Sequence, residues 1–219
     1  MNDFSIVGTI SSIDTLRDLI AHPEKLDGCD IIELRYDEYM EMKETKKLAK
    51  QAAELRPILI TIRTSNEGGT WKIDDAHRFD LFKEFFEIAT YADIELKSAL
   101  FKYQKRSDFP ADMQVITSFH DYKKCPSQEV LNQLIQDGVT WGSDMVKLAI
   151  FCNEASDRDT LEKTLKSHQV PLALMGMGVE GLETRLSLPP LGSKLTYGYL
   201  DKPAAPGQPS CKALAQRLR

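Results

Sequence analysis

The chain has 219 residues, of which 42% are hydrophobic and 28% charged, and its formal net charge at pH 7 is −5. This composition is typical of a globular protein, and an acidic chain without a long Lys/Arg run is not expected to bind nucleic acid. It contains neither the roughly 20 consecutive apolar residues of a membrane helix nor the pattern of a signal peptide, so we expect a cytoplasmic protein without membrane contacts.

Eight short apolar runs alternate with helical patterns along the chain. Runs of this kind are typical of strands buried on both faces of a parallel sheet. The predicted strands are residues 5–10, 30–34, 57–62, 92–96, 114–119, 145–150, 170–175 and 194–199. Eight βα units predict an α/β fold, a (β/α)8 TIM barrel that forms a single domain over residues 1–219. The alternative is an open doubly wound sheet, but the turn after the first strand (ISSIDT) lacks the glycines of a dinucleotide-binding loop.

Two of the predicted helices have clear boundary signals. Asp74 and Ser127 stand at predicted N-caps, and Gly138 stands where a left-handed residue would end the second helix. The first helix is predicted to bury an aromatic face formed by Phe79, Phe82, Phe85 and Phe86. The second is predicted to bury an aliphatic face formed by Val130, Leu131, Leu134 and Ile135.

Charged side chains occur at the carboxyl ends of most predicted strands, where TIM barrels carry their functional groups. They are Glu33 and Arg35 on the second strand, Arg63 and Glu67 after the third, Glu95 in the fourth, His120 after the fifth and Lys147 in the sixth. Removing several charged groups from water at one barrel mouth costs free energy, so their presence there indicates a function. We therefore expect a polar functional site at this end of the barrel.

Lys147 and His120 are the candidates for chemistry. Lys147 lies inside an apolar strand, where desolvation disfavours the ammonium and favours a free amine that can attack a carbonyl. The alternative is an outward lysine that extends past a helix to solvent. His120 suits proton transfer near neutral pH, and Glu67 could orient its imidazole, although a structural histidine is the alternative.

Three arginines could gather around an anion. Arg35, Arg63 and Arg185 each offer the paired donors that bind a carboxylate or a phosphate. Glu33 could both pair with an arginine and accept hydrogen bonds from hydroxyl groups. For each of these residues the alternative is an ion pair that supports the barrel.

Six motifs in chain order resemble those of the type I 3-dehydroquinate dehydratase family, and the resemblance covers most of the chain. The motifs are E-x-R-x-D at 33–37, T-x-R…E-G-G at 61–69, S-[FY]-H-[DN] at 118–121, K-[IL]-A at 147–149, M-x-M…G…S-R at 175–185 and A-P-G-Q at 205–208. One such motif would be weak, but six in order are specific. Two positions depart from the family pattern: Ala204 and Thr184 stand where serine is usual. The Ala204 departure implies one lost hydrogen bond to substrate and a raised KM.

The resemblance implies a mechanism. Lys147 would form an imine with the C3 ketone of 3-dehydroquinate, and His120, held by Glu67, would move the C2 proton to the departing C1 hydroxyl. The implied substrate-binding residues are Glu33, Arg35, Arg63, Arg185, Gln208 and Met177. The loops around Met177 and Gln208 would close over the substrate. No metal and no organic cofactor is implied.

The resemblance also bears on partners and leaves two alternatives open. It implies a shikimate-pathway enzyme that forms a homodimer, and some relatives are fused to a shikimate dehydrogenase domain. A class I Schiff-base aldolase would share the strand-six lysine, but Glu180 would repel a phosphate from the loop after strand seven. A non-catalytic binding paralogue is disfavoured, because Lys147, His120 and Glu67 are all present.

Overall fold

Eight parallel strands form a nearly closed barrel in the computed structural model, which describes residues 3–39, 42–70, 74–203 and 208–219. The strands are β1 (Ser5–Ile10), β2 (Ile31–Arg35), β3 (Ile58–Thr61), β4 (Tyr91–Glu95), β5 (Gln114–Asp121), β6 (Met145–Phe151), β7 (Leu172–Met177) and β8 (Leu195–Tyr199). They are hydrogen-bonded in the order β7-β6-β5-β4-β3-β2-β1-β8. At the seam between β7 and β8, the Lys194 amide donates to the Leu172 carbonyl at 2.7 Å.

The predicted barrel and its single-domain organisation are confirmed. Each predicted strand is present, and its bounds differ from the prediction by no more than two residues. The most useful difference is in β5, which extends to Asp121, so His120 lies within the strand rather than after it.

Helices connect the strands on the outside of the barrel. They are α1 (Ile13–Ala21), α2 (Tyr36–Tyr39), α3 (Met42–Ala53), α4 (Asp75–Lys83), α5 (Ala99–Tyr103), α6 (Gln128–Trp141), α7 (Ala155–Lys166), α8 (Gly178–Gly181), α9 (Thr184–Ser187) and α10 (Cys211–Leu218). Among the helices that the structure describes, none has the length and apolar character needed to cross a membrane. The four cysteines are free thiols.

The inward face of the strands changes from apolar to polar along the barrel axis. Toward the amino ends, buried apolar side chains fill the interior, including Val7, Ile31, Leu59, Ile116, Ala173 and Leu195. Side chains alternate along a strand, so the next inward position is two residues farther on. These next positions carry Thr9, Glu33, Thr61, Asp93, Ser118, Lys147, Met175 and Tyr197, and all of them are buried. The alternation therefore places the polar groups together near the mouth.

The aromatic helix α4 begins as predicted and ends earlier. The Asp74 carboxylate accepts a hydrogen bond from the His77 amide at 2.9 Å, which confirms the N-cap. The helix ends at Lys83, so Phe85 and Phe86 lie beyond it, although Phe85 is still fully buried.

The prediction that Gly138 ends α6 was wrong. The helix continues to Trp141, and Gly142, with φ of 94°, is the left-handed residue at its end. Gly138 is buried where the helix meets the sheet, and a Cβ there would lie 2.6 Å from both Val146 Cγ2 and Thr117 Oγ1. Glycine is therefore needed for close helix–sheet packing rather than for a turn.

The predicted burial of Val130 was also wrong, since it is 50% exposed. Leu131, Leu134 and Ile135 are buried as predicted. Val130 stands about 100° around the helix from Leu131, at the edge of the face that meets the barrel.

Candidate active site

The predicted site residues come together at the carboxyl ends of the strands. Eight of the nine line one cavity: Glu33, Arg35, Arg63, His120, Lys147, Met177, Arg185 and Gln208. Glu67, the ninth, contacts His120 from outside this cavity. Thr9, Tyr122, Ala149, Met175 and Tyr197 complete the lining and were not predicted.

Lys147 on β6 points into the barrel and is 4% exposed, so the alternative of an outward lysine was wrong. Its Nζ donates to Asp93 Oδ2 at 2.9 Å and lies 4.2 Å from the centroid of the Tyr197 ring. His120 is paired in register with Ala149, two residues after Lys147. The imidazole and the amine therefore face the same side of neighbouring strands.

Asp93 on β4 is the main residue that the sequence reasoning missed. It is fully buried, and its Oδ1 accepts hydrogen bonds from Arg63 Nη1 at 3.0 Å and from Ser118 Oγ at 2.5 Å. Burial acts to raise the pKa of Asp93, but Arg63 and Lys147 outweigh it and hold the pKa well below its usual range. An ionised Asp93 thus holds Lys147 in place. An aspartate inside an apolar strand, in alternation with Glu95, was the available signal.

Arg63 connects Asp93 to a second buried carboxylate. Its Nη1 also lies 3.2 Å from Glu95 Oε1, and Glu95 Oε2 accepts from Arg78 Nη1 at 2.5 Å. Burial acts to lower the pKa of Arg63, but Asp93 and Glu95 raise it well above its usual value. These ion pairs support the barrel beneath the cavity, which is the alternative considered for Arg63, while its side chain still lines the cavity.

His120 and Glu67 form a close pair. Glu67 lies in a 3-10 turn after β3, and its Oε2 accepts from the His120 amide and contacts Nδ1, each at 2.9 Å. Burial, together with Arg63 and Lys147, lowers the pKa of His120 well below its usual value. Burial also raises the pKa of Glu67 to about 8, because it outweighs the opposing effect of Arg63. The pair leaves Nε2 as the imidazole nitrogen that a ligand can reach.

Glu33 and Arg35 on β2 already have partners in the protein. Glu33 accepts hydrogen bonds from the hydroxyls of Thr9 at 2.8 Å and Thr61 at 2.9 Å. Arg35 makes two hydrogen bonds to Asp37, of 3.0 and 2.9 Å. Both side chains are thereby held rigidly where they face the cavity.

Arg185 on α9 differs from the other two arginines. Within the described part of the chain it forms no ion pair, and its Nη1 donates to the Tyr197 carbonyl at 2.9 Å and contacts Met175 Sδ at 3.8 Å. Burial lowers its pKa to about 10, so it remains charged near neutral pH.

The neighbouring Thr184 hydroxyl accepts from the Gly176 amide and donates to the Gly181 carbonyl, both at 2.6 Å. Threonine therefore holds this turn in place of the usual serine.

Met177 and Gln208 close the remaining sides of the cavity. Met177 ends β7 and is 2% exposed, and Gln208 is 6% exposed. Ala204 and the first three residues of the A-P-G-Q motif lie outside the described residues, so the expected effect of Ala204 on KM stays a prediction.

Fold and site together define a (β/α)8-barrel enzyme with a buried lysine at its mouth. The sequence profile of the type I 3-dehydroquinase family matches residues 10–219. The chain is 32% identical over 197 residues to the 3-dehydroquinate dehydratase of Thermodesulfovibrio yellowstonii, an alignment that covers 88% of this chain and 86% of that protein. The chain belongs to the type I 3-dehydroquinase family. The predicted family and the predicted class of enzyme, a hydro-lyase, are confirmed.

Two further relatives add to this finding. The structure of the type I 3-dehydroquinate dehydratase of Clostridium difficile with covalently modified comenic acid superimposes with a TM-score of 0.84 at 27% identity, over 98% of this chain and 91% of that one. The chain is also 33% identical over 195 residues to the bifunctional 3-dehydroquinate dehydratase/shikimate dehydrogenase of Arabidopsis thaliana, with 85% of this chain and 32% of that protein covered. Fusion to a shikimate dehydrogenase thus occurs among its relatives.

Proposed function

We propose that this protein dehydrates 3-dehydroquinate to 3-dehydroshikimate through an imine on Lys147. The observation that carries the proposal is a lysine that is 4% exposed and shares one cavity with His120 and Arg185. This reaction needs a nucleophile, a proton-transfer group and a cation that can bind a carboxylate, and Arg185 has no ion-pair partner among the described residues. The name of the related Thermodesulfovibrio enzyme supports the choice of substrate.

The first step is the formation of the imine. Lys147 rests as an ammonium beside Asp93, and it gives one proton to neutral His120 before the free amine attacks the C3 ketone. His120 returns that proton to the hydroxyl of the resulting carbinolamine, which leaves as water and gives a protonated imine. The positive charge withdraws electrons from the neighbouring C2–H bond and acidifies it. The covalently modified ligand in the Clostridium difficile relative supports covalent chemistry in this family.

The second step is the elimination of water. The low pKa of His120 keeps its imidazole neutral and able to accept the C2 proton through Nε2. His120 then donates a proton to the C1 hydroxyl, which leaves as water. Glu67 holds Nδ1 and so orients the imidazole through both transfers. Hydrolysis of the imine releases 3-dehydroshikimate and restores the Lys147 amine.

The remaining residues bind the substrate in this proposal. Arg185 binds the carboxylate, because it is the cavity arginine without an ion pair within the described residues. Glu33, Arg35, Arg63 and Gln208 face the ring hydroxyls, and Met177 covers the substrate. The family match favours this dehydration over the aldolase and over the non-catalytic paralogue. Homodimer formation and a cytoplasmic location remain predictions.

Trapping with borohydride tests the imine. The protein is incubated with 3-dehydroquinate and sodium borohydride, and the adduct is located by peptide mass spectrometry. We expect a reduced adduct on Lys147, no adduct and no turnover in Lys147→Ala, and a normal adduct in Lys123→Ala, which changes an exposed lysine after β5. A folded wild-type protein that binds substrate but yields no adduct would refute the imine mechanism.

Ultraviolet absorbance tests the reaction itself. Dehydration creates a conjugated enone that absorbs in the ultraviolet, whereas retro-aldol cleavage does not. We expect absorbance to rise with wild-type protein. A flat signal would refute the proposed dehydration.

A further inference from the structure

A residue that lines the cavity carries a buried polar atom without a hydrogen-bond partner among the described residues. The hydroxyl oxygen of Tyr197 on β8 is buried, and within the described residues it has no hydrogen-bond partner. Tyr197 as a whole is 4% exposed, and its side chain lines the cavity. A buried hydroxyl that has lost its hydrogen bonds to water costs free energy unless another group replaces them. In a ligand cavity, the ligand can supply that replacement.

Tyr197 contacts both groups that are proposed to hold the ends of the substrate. The Nζ of Lys147 lies 4.2 Å from the centroid of its ring. Its main-chain carbonyl accepts a hydrogen bond from Arg185 Nη1 at 2.9 Å. A small cyclic acid joined to Lys147 and paired with Arg185 would therefore lie against this tyrosine.

We propose that Tyr197 is a substrate-binding residue whose hydroxyl donates a hydrogen bond to an oxygen of bound 3-dehydroquinate. The inference rests on the proposed function and adds a residue to its binding site. The two parts of the side chain have separate tasks: the aromatic face contacts the Lys147 ammonium, and the hydroxyl contacts the ligand.

The protonation state of Tyr197 suits this task. Burial, with Glu33 and Asp93, raises the pKa of Tyr197 well above its usual value. The group is therefore a neutral phenol, which can donate its proton to a substrate oxygen.

Tyr197→Phe separates the two tasks, because it removes the hydroxyl and keeps the ring. We expect kcat/KM for 3-dehydroquinate to fall about tenfold, chiefly through a higher KM, as for the loss of one hydrogen bond. The Tm of the free protein is expected to stay the same or to rise, since the variant no longer buries an unpaired hydroxyl. A structural role would instead lower Tm and leave KM unchanged.

Tyr39→Phe is the matched control. The Tyr39 hydroxyl is also buried without a hydrogen-bond partner among the described residues, but Tyr39 does not line the cavity. We expect this variant to retain the wild-type kcat/KM and to keep or raise Tm.

Two results would overturn the inference. One is an unchanged kcat/KM in Tyr197→Phe beside an active wild-type protein. The other is a lower Tm in that variant, because the hydroxyl would then have a partner within the protein. If the wild-type protein itself fails to dehydrate 3-dehydroquinate, the proposed function fails, and the inference that rests on it fails too.

Discussion

The two sides of the barrel mouth differ in whether their buried cations are paired with carboxylates. On the side of β3 to β6, Arg63 and Lys147 are paired with the buried carboxylates Asp93 and Glu95. On the side of β7 and β8, Arg185 is equally buried but has no ion pair within the described residues. The unpartnered Tyr197 hydroxyl lies on this second side. On the first side the protein itself supplies the partners of the buried charges. On the second side a buried cation and a buried hydroxyl remain available to bind a ligand.

This difference distinguishes positioning from binding. Burying a charge is expensive, and a buried partner offsets most of that cost. Where the protein supplies the partner, as Asp93 does for Lys147, the charged group is held in place before substrate arrives. Where it does not, the missing partner is expected from the substrate, whose carboxylate matches Arg185. Loss of stability should therefore follow changes on the first side, and loss of binding should follow changes on the second.

The largest expected effect is on the paired side. Asp93→Asn removes the negative charge between Arg63 and Lys147, and breaking a buried pair of this kind costs about 3–5 kcal/mol. We expect the free energy of unfolding, measured by urea denaturation, to fall by about that amount. The control is Asp80→Asn, which changes an exposed carboxylate paired with Lys83 and should leave unfolding unaltered. Equal stability of the two variants would contradict the positioning role of Asp93.

An intermediate effect is expected on the unpaired side. Arg185→Met removes a buried guanidinium without leaving a carboxylate unpaired, so we expect Tm to be kept or raised. A hydrogen bond to a charged group contributes about 1.5–3 kcal/mol, so kcat/KM should fall about 10- to 150-fold. Steady-state kinetics and thermal unfolding give both values. The counterpart is Arg63→Met, which leaves Asp93 and Glu95 without this partner and should lower Tm strongly. If Arg185→Met were the less stable of the two, the contrast between the two sides would be wrong.

The smallest expected effect is a titration shift at His120. Burial, Arg63 and Lys147 place its pKa in the folded protein below the ordinary value of 6.5. The unfolded chain therefore binds more protons below about pH 6.5, so the stability contributed by neutral His120 is present above that pH and is lost as the pH falls. An NMR titration of the imidazole, assigned by its loss in His120→Asn, should show a midpoint below 6.5. A midpoint at or above 6.5 would contradict the assignment of His120 as a neutral base.

Local patterns in the sequence predicted much of this molecule. Short apolar runs predicted the eight strands because a parallel barrel buries both faces of each strand. Charged residues at strand ends predicted the mouth because the carboxyl ends of parallel strands meet there. The family motifs supplied nine site residues, and eight of them line one cavity. The role of Gly138 was misread as a helix end, because glycine serves both helix ends and close packing.

What the sequence by itself determined is therefore the order of the strands and helices, the alternation of inward positions and the residue types at the mouth. The tertiary structure alone decided which of those groups are paired. Lys147 and Asp93 are 54 residues apart in the chain, and His120 and Glu67 are 53 apart, so no local pattern relates them. Whether a buried charge or hydroxyl has a partner depends on strands that meet only after the barrel closes. For that reason the buried pairing of Asp93 and the unpartnered hydroxyl of Tyr197 became visible only in the fold.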